Sequence, residues 1–241
     1  MGNVPSNGSF VSDEHAAFER LTHFHHARLD VIETASPASD DAPSVLVVHL
    51  LPQLSFGRAQ FTGSVLREHG TPIGAAWCES SAQYSRFNAD GWFMPEGREK
   101  PRSYSQLFRD GRLEAVLHGT CYTQYQTKVV HAAKCEAAIF RIVPPYLDLC
   151  EAIGLQCPIW LFSSLVGFDG ARFKTNAEWN EVGSYGIESA TVRLPELVIG
   201  SFGADNSELL RRWCDGLWQA GGNERSPNYE KDGTRRQRSL L

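Results

Sequence analysis

Apolar residues recur at helical spacing through positions 13–33, where Ala17, Phe18, Leu21, Phe24, Leu29 and Ile32 fall on one side. Asp13 is placed to cap the start of this helix, and Ser36-Pro37 to close it. Glu19, His23, His26 and Asp30 take the opposite, wet side. His25 and Arg28 lie inside the apolar stripe. A charge buried there without a partner is very costly, so Arg28 must reach a carboxylate or carbonyls. Asp90 and Glu114 are the internal candidates, and a ligand anion is the alternative.

Residues 45–51 (VLVVHLL) lie between two prolines and are rich in branched side chains, which predicts a strand buried on both faces. A short helix is expected over 61–69, stopped by Gly70-Thr71-Pro72. Residues 75–117 read as a β-meander. Its clearest signal is Asp110-Gly111 between two alternating runs, where a type I′ turn would need positive φ at both residues. A helical stretch is predicted over 128–154, interrupted or restarted at Pro144-Pro145. Strands are expected over 159–167, 172–174 and 192–202, the last with an edge or bulge at Pro195. Asp205 and Glu208 form a capping-box pattern before a last helix whose inner face is Leu209, Leu210, Trp213 and Leu217. The order of elements predicts an α+β fold. It has a mixed, largely antiparallel sheet with an N-terminal helix, a central helical segment and a C-terminal helix. One domain is expected over 14–222, between polar tails at 1–13 and 223–241.

With 42% hydrophobic and 11% aromatic residues in 241, the chain can bury a core. Its net charge of -5 argues against gripping nucleic acid mainly through phosphates. The dense basic run, Arg235-Arg236-Gln237-Arg238, lies in the tail. The start of the chain is polar, and the longest apolar stretch, 158–168, is about half a bilayer span. Together with six cysteines, several of them inside apolar runs, this reads as a cytoplasmic protein with reduced thiols and no membrane contact.

The sequence carries no Walker loop, no dinucleotide-binding glycine fingerprint, no nucleophile elbow and no zinc-peptidase helix. His131 and Cys135 share a helix face, but with Cys150 and Cys157 they match no compact zinc spacing. His23, His25 and His26 do not converge on one side of their helix. His118 and Cys121 are close in sequence, which does not make a base and a nucleophile. No catalytic residue, metal ligand or cofactor is therefore assigned. Candidate ligand-binding residues are Arg28 with its neighbour His25, and the aromatic and polar segment Tyr84, Arg86, Asn88, Asp90 and Trp92. The same segment also reads as a sheet with aromatic cross-strand pairs.

Four segments, VVHLLP at 47–52, RFNADGW at 86–92, YSQLFRDGRLEAV at 104–116 and LWQAGGNERSPNYEKDG at 217–233, stand in a particular order. They resemble the region that follows a Schlafen-like, AlbA-type DNA-binding domain in certain bacterial proteins described as ATP-binding or regulator-like. The helix of residues 18–32 is similar to the one that links the two regions. The AlbA-type domain has no counterpart in this sequence, so no residue role comes with the resemblance. It implies a non-catalytic sensing or interaction domain that works with an effector or partner protein, with a small anionic molecule or a nucleotide as candidate ligand. The alternative is a nucleic-acid-binding or nucleic-acid-processing protein, against the acidic balance.

Overall fold

The computed structural model describes residues 8–35, 44–55, 60–78, 81–98, 101–176, 181–230 and 232–236. It begins with the long helix α1 (Gly8–Ala35) and the strand β1 (Val45–Pro52). Helix α2 (Gly63–Trp77) and the single turn α3 (Ser81–Tyr84) lead into a meander of β2 (Arg86–Phe87), β3 (Gly91–Pro95), β4 (Tyr104–Phe108) and β5 (Leu113–His118). A hairpin of β6 (Cys121–Gln124) and β7 (Thr127–Val130) precedes α4 (Ala132–Ala152). Then come β8 (Ile159–Val166), β9 (Arg172–Asn176), β10 (Glu181–Gly186), β11 (Thr191–Arg193), β12 (Leu197–Ile199) and α5 (Ser207–Gln219). The fold is α+β.

Eight strands form the main sheet in the order β11-β8-β1-β5-β4-β3-β2, with β12 beside β11 along the same edge of β8. Every pairing in it is antiparallel. A smaller sheet, β10-β9-β7-β6, contains the parallel pair β7–β9. β1 is central and buried at every position, as its unbroken apolar run requires. Its even residues Leu46, Val48 and Leu50 join the large core that packs with α2, α4 and α5. Its odd residues face α1, where Leu29 packs on Val45, Val47, Val116 and Val166, and Leu21 packs on Leu51 and Phe162. Those two apolar clusters are separate, and the groups described below lie between them.

Several elements differ from the sequence expectation. Pro72 does not stop α2, and Pro144 and Pro145 lie inside a continuous α4. Tertiary packing overrides the local cost: Leu66, Ile73 and Trp77 are buried on α2, and a Cβ on Gly70 would come within 2.7 Å of the Trp92 ring. The Asp110-Gly111 hairpin is present, but Gly111 alone has positive φ (87°). Its amide donates to the Phe108 carbonyl and the Phe108 amide to that of Arg112, which closes a three-residue loop with a bulge instead of a type I′ turn. Positive φ at two successive residues occurs instead at Tyr125 and Gln126, between β6 and β7, where no glycine or asparagine advertises it. Residues 127–130 are strand and not helix. The strand expected over 192–202 is two short ones, β11 and β12, split around Pro195.

The N-terminal helix starts at Gly8, so Asp13 is inside it and not its cap. The expected stop at Ser36-Pro37 lies outside the described residues. At the other end, 223–236 is not a solvated tail. Ser226 and Tyr229 are buried, and Glu136 of α4 accepts hydrogen bonds from Trp218, Ser226 and Asn228 at 2.8 Å each. In the basic run, Arg235 stacks on Phe140 and Arg236 pairs with Glu230, whereas Gln237 and Arg238 lie outside the described residues.

Candidate functional site

The α1 face of the sheet carries an alternating row of side chains. On adjacent strands Phe162, His49, Glu114, Gln106 and Phe93 stand opposite one another, from β8 through β1, β5 and β4 to β3. α1 covers the half nearer β8 and β1. Beyond it lies a cavity of about 270 Å³ lined by Arg28, Asn88, Asp90, Phe93, Pro101, Tyr104, Gln106 and Glu114.

Under α1 the polar groups form one chain. Ser164 Oγ is 2.9 Å from His25 Nε2, His25 Nδ1 is 2.7 Å from His49 Nδ1, and His49 Nε2 is 3.0 Å from Glu114 Oε2. Proton bookkeeping fixes the direction at the Glu114 end. Glu114 is a carboxylate and accepts, so His49 donates from Nε2. Of the two facing Nδ1 atoms one donates and the other accepts, and in neutral His25 the Nε2 takes the complementary role toward the Ser164 hydroxyl. Arg28 closes the other end with two parallel bonds, Nε to Oε2 at 2.7 Å and Nη2 to Oε1 at 2.8 Å. Tyr104 donates to Oε1 at 2.9 Å. Four donors therefore fill both oxygens of Glu114.

All of these groups except Arg28 and Tyr104 are fully buried. Burial alone would push the Glu114 carboxyl up, but the bonds from Arg28 and His49 outweigh it and hold the group down at about 2. The same pairing raises the Arg28 guanidinium. Burial, reinforced by His49, drives His25 from 6.5 to about 2, so it stays neutral. Tyr104 is raised by burial and by the adjacent carboxylate.

Of the residues singled out from sequence, Arg28, Asn88 and Asp90 line the cavity together. His25 belongs to the chain beneath α1. Arg86 lies over the Phe93 ring at 5.0 Å, at the edge of the site, and donates to the carbonyl of Tyr84. Trp92 is on the wrong face: it stands opposite Leu107 and packs with Phe87 toward α2. Strand alternation explains this, because neighbours Trp92 and Phe93 must point to opposite sides. His49, Tyr104, Gln106, Phe93 and Ser164 were missed. His49 had a signal: it is the polar residue within a strand read as buried on both faces.

Other chemistries fit poorly. The six thiols are free, and burial raises all of them, Cys121 to about 11 and Cys78 and Cys150 to about 12, which keeps them from acting as thiolates near neutrality. Among the described residues no group of histidine, cysteine and acidic side chains is placed to hold a metal ion. No helix among them is long and apolar enough to cross a membrane. The chain matches no protein-family model, no curated protein and no solved structure.

Proposed function

We propose that this chain is a non-catalytic sensing or interaction domain, which takes a compact ligand into the cavity beside Arg28 and reports it to a partner or effector protein. One observation carries the reading. The histidines and the serine suited to proton transfer or nucleophilic attack, His25, His49 and Ser164, are sealed beneath α1 and bonded to one another, whereas the cavity is lined by Phe93, Pro101, Tyr104 and side-chain amides beside the Arg28–Glu114 pair and Asp90. Such walls hold a molecule without attacking it. At about 270 Å³ the cavity is slightly smaller than common ligand pockets, which run from ~300 Å³ upward, so its occupant is compact.

α1 supplies both a cavity wall, through Arg28, and the anchor of the polar chain, through His25. An occupant that moves Arg28 therefore acts on the helix whose outer side is exposed and polar at Glu19, His23 and Asp30. An accessory role is also what the resemblance to the region after an AlbA-type domain implies. Nucleic-acid binding gains nothing from the arrangement, since the described tail arginines are engaged with Phe140 and Glu230.

The test is a thermal-shift screen of the purified chain against small metabolites, with Phe93→Ala in parallel. Compounds that raise the melting temperature of the parent and leave the folded variant unmoved support the reading. A substrate turned over by the parent, and no longer by Ser164→Ala or His25→Gln, would overturn it.

A further inference from the structure

Three ionised side chains line the cavity, and they are not equal. Arg28 and Glu114 neutralise each other through two parallel hydrogen bonds, and every acceptor position of Glu114 is filled. Asp90 is different. Its backbone amide is held by Asn88 Oδ1 at 3.0 Å, which fixes the turn. No hydrogen bond or ion pair joins its carboxylate to any described residue, and it meets Arg28 only at longer range. One cation against two carboxylates leaves the cavity with one unmatched negative charge.

The amides do not change this balance. Asn88 Nδ2 donates to Gln106 Oε1 at 2.6 Å, and Gln106 Nε2 donates to the Leu107 carbonyl at 3.2 Å. The remaining walls are aromatic or apolar. The Phe93 and Tyr104 rings lie 5.2 Å apart, and Pro101 borders them. Phe93 already carries the Arg86 guanidinium over its ring, so this surface holds a cation by its π face. A carboxylate beside aromatic faces is the chemistry that recognises organic cations, and an anion would meet Asp90 with no unspent cation among the residues lining the cavity.

Building on the binding reading above, we propose that the cavity takes a compact organic cation. This is a primary ammonium or guanidinium on a short apolar stem, with its charge on Asp90 and its stem against Phe93, Tyr104 and Pro101. The group has two sources: a free small amine, or the lysine or arginine side chain of a partner protein.

The experiment is an amide-resonance titration of the full chain with n-butylammonium and ethylguanidinium, with N-acetyl-lysine amide and N-acetyl-arginine amide, and with butanol and butyrate as neutral and anionic controls. The cations are expected to shift residues 88–93 and Gln106 saturably, and to bind at least tenfold more weakly to Asp90→Asn. Asp90 is exposed and its backbone bonds remain, so the variant should melt as the parent does. Tighter binding of the acetylated amides identifies a protein side chain as the source, and equal or tighter binding of the free cations identifies a free amine. Butanol matching butylammonium, or Asp90→Asn binding as the parent does, overturns the charge assignment while binding in the cavity stands. If no probe shifts these resonances the inference falls, and the thermal-shift screen decides the binding reading separately.

Discussion

Arg28 shows how a single residue can be read correctly without its surroundings being known. Its place in an apolar stripe required acceptors, with Asp90 and Glu114 as the internal candidates, and the partner is Glu114, bound by two parallel hydrogen bonds. Removing the guanidinium leaves a buried carboxylate with only His49 and Tyr104 as donors. Arg28→Ala should therefore destabilise the protein by about 3 kcal/mol, the low end for breaking a buried pair, because the Arg28 side chain is still 26% exposed. Urea denaturation measures this, and an unchanged midpoint would mean that the pair adds nothing. What the sequence did not reveal was how the acid is shared. Glu114 also serves His49 and Tyr104, and those contacts depend on the register of β1, β4 and β5, which no single segment encodes.

At the scale of elements, strands with a regular alternation were legible and irregular joints were not. The unbroken apolar run of β1 declared a central strand. The hairpin at Asp110-Gly111 was found, yet its loop has three residues and one left-handed glycine, closed by a bulge before β5. Gly111→Val should cost well over 1 kcal/mol: it strains a positive φ, and its Cβ would stand 2.5 Å from Leu155. A melting temperature equal to the parent's would contradict this account of the turn. The β6–β7 turn escaped notice because Tyr125 and Gln126 adopt left-handed conformations that neither residue type signals. The prolines in α2 and α4 were read as breaks because local propensity was all the sequence offered. The cores that hold those helices come from distant residues.

For the whole molecule, the helices and the sheet could be anticipated, while the site could be only half seen. Arg28, Asn88 and Asp90, singled out separately, line one cavity, but its floor of Gln106 and Phe93 exists only once the meander pairs. The polar chain beneath α1 also gives the molecule a pH dependence. Folding takes His25 from 6.5 to about 2, so between those values the unfolded chain binds a proton that the folded chain refuses. Stability should fall as pH drops below about 6.5, by up to about 1.4 kcal/mol per pH unit for this group. Glu114 adds to the loss lower down: its stabilisation is complete above about 4.5 and disappears as pH falls toward about 2. His26, His118 and His131 are also lowered by burial, and being partly exposed they contribute a shallower slope of the same sign. Unfolding free energies measured from pH 7 to 5 should decline in the parent and less steeply in His25→Gln.

The central claim is that the buried histidines and serine support the fold and do no acid–base chemistry. Imidazole nitrogen resonances of the folded protein, followed from pH 8 to the lowest pH at which it stays folded, test this most directly. The account predicts that His25 stays neutral throughout, with a single proton on its ring. A His25 that takes up a proton with a midpoint near 6.5 while the protein remains folded would contradict it, and would restore His25 as a working base.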